Sequence, residues 1–288
     1  MPSLAKEREK PNKMAETMIM AELYYKLMTL ARFLISSDVL SRARSTLTLT
    51  GREAHHLTRV RRLGPGSLVE LIDGSGVVAK AKIIQVNRTE VGLHIVEVSE
   101  QQNDCLPISL IVALLKGDRM GWMIQKATEL GVQTICPVIT QHTVVKVDVE
   151  RTGGHLVRWK EIAGQALKQC KGNFVPTIYP VVRLEEALEK VSYARAKILL
   201  WESEKKCSLF SAWRDQGNNT PVAVIAGPEG GLSREEILAC KGAGFFTATM
   251  GRRTLRSETA AIGAVAALAA MITCKRLQGT ASALLPGT

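Results

Sequence analysis

The sequence predicts an α/β fold with a mostly parallel sheet, preceded by a smaller domain of β-strands. After Pro107, strand-like and helix-like segments alternate along the chain, a pattern typical of a parallel sheet covered by helices. The strand-like segments are continuous apolar runs such as Ile108–Leu115, as expected for strands that are buried on both faces. Before residue 100, short β-rich segments follow one another with turn residues between them, which favours a small barrel or sandwich.

The N-terminal part is expected to contain a β-hairpin at Asp73–Gly76, because Asp-Gly between two β-rich runs is a strong hairpin signal. The polar segment Ser99–Asp104 is interpreted as a linker to the second domain. The strands expected before this linker are Leu47–Leu49, Ser67–Ile72, Val77–Val86 and Val91–Val98.

In the C-terminal part, Asp118 is expected to cap one helix, and Ser233 with Glu236 forms a capping-box pattern at the start of another. In an open α/β sheet, ligands bind beyond the carboxyl ends of the strands. The expected strands are Ile108–Leu115, Val132–Ile139, Ala196–Trp201, Val222–Ala226 and Phe245–Met250, and further helices are expected over His155–Cys170 and Ser257–Arg276.

Composition is that of a globular protein, with 46% hydrophobic and 23% charged residues. No run of about 18 apolar residues lacks a charge or a breaker, so no transmembrane helix is expected. The net charge of +11 and the pI of about 9.5 favour a polyanionic partner. Basic proteins that bind no nucleic acid are the alternative, and charge alone does not decide between them.

The six cysteines form no C-x-x-C pair, and their spacing suits neither a zinc site nor a disulfide framework. His55 and His56 are too few and too close together for a metal site. The expectation is therefore reduced cysteines, no bound metal and a cytoplasmic location.

Two glycine-bearing turns are the candidates for a ligand-binding or catalytic site. Ala226–Gly231 lies between a buried strand and a capped helix, where backbone amides can face a ligand. It lacks both the dinucleotide and the phosphate-loop spacing, and a tight strand-to-helix turn is the alternative. In Met250–Ala260, the arginines at 252, 253 and 256 can clamp a phosphate while Ser257 or Thr259 caps the following helix. The alternative is a solvated basic turn in which Glu258 pairs with an arginine.

Three motifs in order carry a resemblance: K-A-T-E-L-G-V at 126–132, G-P-E-G-G at 227–231 and L-R-x-E-T-A at 255–260. Together they resemble the SPOUT class of methyltransferases and, more narrowly, the 16S rRNA uridine-N3 methyltransferase family (RsmE-type). The resemblance spans about residues 28 to 277.

The resemblance implies a domain organisation. Residues 28–100 would be a PUA-like RNA-binding β-barrel. Residues 1–27 are expected from composition to be a disordered extension, because Met1–Lys13 is polar and charged. The alternative is a start codon assigned too far upstream, with Met14 or Met28 as the true initiator. Residues 105–278 would form the SPOUT methyltransferase domain, whose mostly parallel sheet contains a trefoil knot, and 279–288 a flexible tail. The family also implies S-adenosylmethionine (SAM) as cofactor, a homodimer without membrane contact, and 16S rRNA or the small ribosomal subunit as partner.

The implied reaction transfers a methyl group to N3 of a specific uridine. Arg256 would stabilise negative charge on the ring, and Glu258 would hold Arg256 or take the N3 proton. The alternative for Glu258 is a carboxylate favoured by the helix dipole. The residues expected to bind the cofactor are Leu200, Gly227, Glu229, Gly230, Gly231, Met250, Gly251, Leu255 and Arg256.

RNA contact is expected at a basic cluster formed by Arg52, Arg59, Arg61 and Arg62, for which a solvated strand edge is the alternative. The chain departs from the family pattern on the expected substrate side, at His142, Lys168, Gly172 and Phe174. These departures keep two alternatives open: a different RNA nucleotide as target, and an RNA-binding ribosome-assembly factor without catalysis.

Overall fold

The structure, a computed structural model, describes residues 30–42, 45–144 and 153–283, so the expected extension 1–27 lies outside the described residues. The chain divides into two units, one of residues up to 101 without 74–76, and one of 74–76 and everything from 102 onward. The strands are β1 (Ala31–Leu34), β2 (Thr46–Thr50), β3 (Leu68–Ile72), β4 (Val77–Val86), β5 (Glu90–Glu100), β6 (Leu106–Ala113), β7 (Val132–Ile139), β8 (Thr177–Ile178), β9 (Val182–Arg183), β10 (Ala196–Leu200), β11 (Val222–Ala226) and β12 (Phe246–Ala248). The helices are α1 (Ser37–Arg42), α2 (Gly51–His55), α3 (Asp118–Glu129), α4 (Gly153–Cys170), α5 (Leu184–Lys190), α6 (Leu209–Asp215), α7 (Arg234–Gly242) and α8 (Ser257–Ala283).

The first unit is a five-stranded sheet in the order β1-β3-β4-β5-β2, curled into a half-barrel. β1 pairs with β3 in parallel, and the other pairs are antiparallel. The hairpin expected at Asp73–Gly76 joins β3 to β4. The concave side is filled by fully buried side chains that include Phe33, Leu57, Leu71 and Leu93.

Two arginines of the basic cluster, Arg52 and Arg59, lie on helical backbone, and Arg61 and Arg62 follow it directly, so the cluster does not lie on a strand edge. Helix α2 runs directly into a π-helical turn, His56–Val60. Ala54 and Leu57, three residues apart and thus on one face of a helix, are buried against the sheet. This apolar pair is too short a signal to stand out within a β-rich segment.

The second unit contains a seven-stranded sheet in the order β12-β10-β11-β6-β7-β8, with β9 also beside β7. All of its strand pairs are parallel. At the carboxyl ends, Leu200 is in register with both Ala226 and Ala248, and Ala226 is in register with Val112. The loops that follow β6, β10, β11 and β12 therefore leave the sheet side by side.

Helices cover both faces of this sheet. Along β6, Leu110 and Val112 belong to a core shared with α3, α4, α6 and α8, whereas Ile111 belongs to a second core shared with α5 and α7. Successive residues of a strand point to opposite faces, so a strand between two helical layers must be apolar throughout. This arrangement explains the continuous apolar runs in the sequence.

Helix starts confirm one prediction and correct another. At α7, the Ser233 hydroxyl accepts a hydrogen bond from the Glu236 backbone N–H at 3.2 Å, and the Glu236 side chain accepts from the Ser233 N–H at 2.8 Å. At α3 the N-cap is Gly117, not Asp118. Asp118 lies one residue inside the helix and pairs with Arg158 of α4 at 3.2 Å.

Helix α8 extends past Arg276 to Ala283 and so continues beyond the expected domain end at residue 278. Its segment Ser257–Gln278 has a mean hydropathy of 1.6 and is long and apolar enough to cross a membrane by length and composition alone. A helix over Ser257–Arg276 was expected, but not one long and apolar enough to span a membrane. The same composition suits a helix that packs in a protein core, and α8 packs on the sheet through Ala261, Ala264, Val265, Leu268 and Ile272.

Candidate functional site

A cavity of about 240 Å³ lies at the carboxyl ends of β10, β11 and β12. Three loops form its walls: Leu200–Glu202 after β10, Ala226–Leu232 after β11 and Ala248–Leu255 after β12. Gly230 and Leu255, from the two glycine-bearing turns, line the same cavity. Of the nine residues expected to bind a cofactor, only Arg256 is outside the lining; those that line it are Leu200, Gly227, Glu229, Gly230, Gly231, Met250, Gly251 and Leu255.

Hydrogen bonds connect the three loops to one another. The Ser257 hydroxyl, at the start of α8, donates to the Gly227 carbonyl oxygen, so this serine joins the two glycine-bearing turns instead of capping its own helix. The Trp201 N–H donates to the Ala248 carbonyl oxygen at 3.0 Å. The first turn is closed internally by a bond from the Gly231 N–H to the Pro228 carbonyl at 3.0 Å.

Two glycines of the first turn have specific local reasons: Gly230 is required by the close packing of His142, and Gly231 by its backbone conformation. A Cβ atom at Gly230 would lie 2.9 Å from the Cβ of His142, and one at Gly231 would lie 2.9 Å from Oε1 of Glu202. Gly231 also has a φ of +73°, which side chains disfavour. Both neighbours approach the backbone closely, so the absence of side chains shapes this wall of the cavity.

His142 belongs to the site through a contact that the sequence did not reveal. Its Nδ1 lies 3.1 Å from the Gly231 carbonyl oxygen, and the Gln141 N–H donates to Glu236 Oε1 at 2.8 Å. The segment after β7 therefore packs on the first glycine turn, where the sequence analysis expected it to face the substrate. The other departures, Lys168, Gly172 and Phe174, are not among the cavity-lining residues.

The structure separates Arg256 and Glu258 from the cavity lining. Arg256 is exposed, whereas Glu258 is buried with 8% of its surface exposed. Oε2 of Glu258 lies 3.7 Å from Nη1 of Arg119, so the expected arginine contact is to a residue of another loop. Arg119 Nη1 also contacts Oε1 of Glu229 in the cavity wall.

Arg119 is a candidate site residue that was not singled out from the sequence. It lies in the first turn of α3, directly after β6, and β6 is the neighbour of β11 in the sheet. The position at the start of the helix that follows the carboxyl end of a buried strand was a usable signal. The partner was not readable, because Glu229 is 110 residues away in the sequence.

Glu204 fixes the loop after β10. One carboxylate oxygen accepts from the Thr247 hydroxyl at 2.7 Å, and the other accepts from the backbone N–H groups of Lys206 and Cys207 at 2.9 and 3.2 Å. These bonds, above all the one from Thr247, lower the pKa of Glu204 to about 2, because they stabilise the ionised form. The loop is thereby attached to β12, which carries the opposite wall.

The four expected RNA-binding arginines lie together in the first unit. Arg52 belongs to α2 and Arg59 to the π-helical turn, while Arg61 and Arg62 follow that turn directly. All four are exposed. Their surface is defined by one short helical segment.

All six cysteines are free thiols. Burial raises the pKa of Cys105 to about 11 and those of Cys136 and Cys240 to about 12. Across the described ranges, no group of three or more His, Cys, Asp or Glu side chains is arranged to hold a metal ion.

Comparisons with known families and proteins define the class. A family described as "RNA methyltransferase domain" matches residues 101–269, and one described as "RNA methyltransferase PUA domain" matches residues 49–96. With the loop-lined cavity at the sheet edge, these matches identify an RNA methyltransferase with a PUA domain. They confirm the expected fold class, a SPOUT α/β domain preceded by a PUA-like β-domain.

Relatives specify the family. The chain is 30% identical to ribosomal RNA small subunit methyltransferase E of Bacillus subtilis over 77% of this chain and 89% of the relative. It is 31% identical to the protein of the same name from Synechocystis over 79% and 74% of the two chains. The chain belongs to the ribosomal RNA small subunit methyltransferase E family.

Solved structures agree with this assignment. The crystal structure of ribosomal RNA small subunit methyltransferase E from Neisseria gonorrhoeae bound to S-adenosyl methionine has a TM-score of 0.72 and 29% identity, and the match covers 84% of this chain and 98% of that one. A protein of Legionella pneumophila described as a methyltransferase, in complex with the cofactor SAM, has a TM-score of 0.71 and 32% identity over 84% and 97%.

Proposed function

We propose that this protein transfers a methyl group from SAM to N3 of a specific uridine in the 16S rRNA of the small ribosomal subunit. The observation that supports the proposal is that the two glycine-bearing turns line one shared cavity. The names of the relatives, which are rRNA small subunit methyltransferases, and the SAM in two structural neighbours support the cofactor and the RNA class.

The chemistry of the cavity lining fits SAM. SAM carries an ammonium group, a sulfonium centre and a carboxylate. The lining provides acidic groups in Glu202 and Glu229 and basic groups in Arg252 and Arg253. The close-packed glycines leave backbone groups in the wall, where they can hydrogen-bond a ligand. We assign cofactor binding to Leu200, Gly227, Glu229, Gly230, Gly231, Met250, Gly251 and Leu255, with Arg256 at the edge.

The bound cofactor supplies a methyl group that is already activated, so the protein's main task is to align the acceptor for in-line transfer. The N3 atom of neutral uracil carries a proton, which must pass to solvent water before the N3 lone pair can form the new N–C bond. Arg256 is exposed on the loop beside the cavity, and we assign it the stabilisation of negative charge on the ring. Glu258 is buried and is assigned the holding of an arginine, not the removal of the proton.

The PUA-like unit is proposed to bind the rRNA through Arg52, Arg59, Arg61 and Arg62. All four are exposed, two on one short helical segment and two directly after it, and the net charge of the chain is +11. Arginines that neutralise phosphates contribute affinity that falls with salt. The enzyme would act in the cytoplasm, where small subunits are assembled.

We also propose a homodimer. Of the 18-residue apolar window within Ser257–Gln278, 28% is buried within the chain, and the apolar side chains of Ile262 and Met271 are only half-buried. An apolar surface that the chain does not fully cover can mark an interaction site. A second copy of the chain would cover this face of α8. Analytical ultracentrifugation tests this assignment, and a monomer at micromolar concentration would contradict it.

The decisive experiment for the function is mass mapping of 16S rRNA from a strain that lacks this gene, complemented with wild type or with Gly230→Arg. We expect the uridine N3 methyl group to be absent in the deletion strain, to return with wild type and to stay absent with the variant. A uridine that stays methylated in the deletion strain would show that the target is a different nucleotide. If the wild-type protein binds no SAM in calorimetry, the remaining function is RNA binding without catalysis.

A further inference from the structure

Arg119 lies between two acidic residues that belong to different walls of the site. Its Nη1 contacts Oε1 of Glu229, which lines the cavity, and lies 3.7 Å from Oε2 of Glu258, in the first turn of α8. We propose that Arg119 is a positioning residue, which holds the Glu229 carboxylate in its cofactor-binding place while it neutralises Glu258. This inference rests on the proposed function, since it assigns a role within the same site.

The contact to Glu229 fixes a carboxylate whose side chain is partly exposed. Glu229 follows Pro228 in the first glycine turn, and its side chain is 32% exposed. A long, half-exposed side chain loses rotamer freedom when it is held, and a guanidinium can orient a carboxylate through directed N–H groups. The ion pair therefore fixes the position of one of the acidic groups available to the cationic end of SAM.

The contact to Glu258 compensates the charge of a buried carboxylate. The Glu258 side chain is 10% exposed, and its Oε2 is buried without a hydrogen-bond partner. A buried carboxylate without compensation is unfavourable, and Arg119 is the cation placed next to this oxygen. The arginine thus has a stabilising role toward Glu258 and a positioning role toward Glu229.

These two roles can be separated by substitution. In Arg119→Gln, the Glu258 carboxylate remains buried without a cation and Glu229 is released. Adding Glu258→Gln removes the buried charge but does nothing to hold Glu229. If Arg119 were purely structural, the second substitution would restore both the stability and the SAM affinity of the protein. If Arg119 positions Glu229, the second substitution restores the stability but not the SAM affinity.

The test measures the thermal midpoint and the Kd for SAM, by calorimetry, in wild type, Arg119→Gln, Arg119→Gln/Glu258→Gln and Arg119→Lys. The matched control is Arg158→Gln, an exposed arginine of α4 that pairs with Asp118 outside the cavity lining. In Arg119→Gln we expect a lower midpoint and a Kd raised by about tenfold, the loss typical of a hydrogen bond to a charged group. The double variant should recover the midpoint and keep the weak Kd, Arg119→Lys should bind SAM with an intermediate Kd, and the control should match wild type.

A double-mutant cycle with Glu229→Gln completes the test. We expect Glu229→Gln to bind SAM more weakly than wild type, and the addition of Arg119→Gln to cause no further loss of SAM affinity. Recovery of both the midpoint and the Kd in the double variant would overturn the positioning role. So would a wild-type Kd in Arg119→Gln, or independent losses from Arg119→Gln and Glu229→Gln. If Arg119→Gln does not fold, the double variant carries the binding measurement. Wild-type protein that binds no SAM would instead overturn the proposed function.

Discussion

Gly230→Ala is a test of how tightly the first glycine turn is packed. The new Cβ would lie 2.9 Å from the Cβ of His142 and 3.6 Å from both its Cγ and its carbonyl oxygen. Carbon atoms pack best at about 3.5–4.0 Å, so the turn or the His142 segment must move by about 0.6–1 Å. Overpacking of this kind lowers the free energy of unfolding by about 1–3 kcal/mol.

The same displacement affects function because Gly230 lines the cavity. A shift of about 1 Å in a reacting geometry can slow transfer by about 100-fold, and we expect the Kd for SAM to rise by about tenfold. Calorimetry measures the affinity, and single-turnover methylation of small subunits from a deletion strain measures the rate. The matched control is Gly242→Ala at the end of α7, where the added Cβ has open space, so both quantities should stay at the wild-type level.

A second variant identifies the cause of the loss. His142→Gly removes the Cβ that blocks the new methyl group. In this background Gly230→Ala should lower the free energy of unfolding only slightly, and the double variant should bind SAM like His142→Gly alone. The reasoning is refuted if Gly230→Ala behaves as wild type, or if its loss is the same with and without the His142 side chain.

Four other predictions concern separate features of the chain. Ser257→Ala removes the hydrogen bond to the Gly227 carbonyl and should raise the Kd for SAM by about fivefold, the equivalent of about 1 kcal/mol; an unchanged Kd in calorimetry would mean that this bond does not hold the two turns together. The pKa of Glu204, about 2 against an ordinary 4.5, means that its stabilisation is complete above pH about 4.5 and is lost as the pH falls toward about 2. Glu204→Gln should therefore melt below wild type at neutral pH, with the difference in thermal midpoint shrinking through that range. Arg61→Gln should weaken RNA binding and make the slope of log K against log salt shallower by about 0.7–0.9, whereas a parallel line would place Arg61 outside the interface. Burial raises the pKa of Cys136 and of Cys240 to about 12, so a thiol reagent at pH 7.5 should label the exposed Cys274 long before either of them, as peptide mass spectrometry can measure.

Local sequence patterns were sufficient to predict most strands and helices of the second unit. The apolar runs identified the buried strands, and the Ser233–Glu236 spacing identified a capping box whose two bonds are present. These features depend on residues a few positions apart, where sequence and geometry are directly related. The common cavity of the two glycine turns was expected from the family resemblance, since no spacing rule brings residues 227–231 and 250–255 together.

Long-range contacts account for what the sequence left undetermined. Arg119 reaches Glu229 only because β6 and β11 are neighbours, although β7 to β10 lie between them in the chain. His142 was noticed as a departure from the family, but its place beside Gly231 depends on the path of the chain after β7. In the first unit, the helical segment that carries Arg52 and Arg59 was hidden because only two buried residues, Ala54 and Leu57, mark its inner face.

The sheet order has a consequence for how the enzyme is made. Strand β12 leaves the ribosome after β10 and β11, yet it sits next to β10 and supplies the third wall of the cavity. A nascent or truncated chain that stops before Phe246 has the walls formed by Leu200–Glu202 and Gly227–Gly231 but lacks the wall formed by Ala248–Leu255. The ability to hold a methyl donor is therefore acquired only once β12 and the loop after it have been made, and a chain terminated before them is inactive.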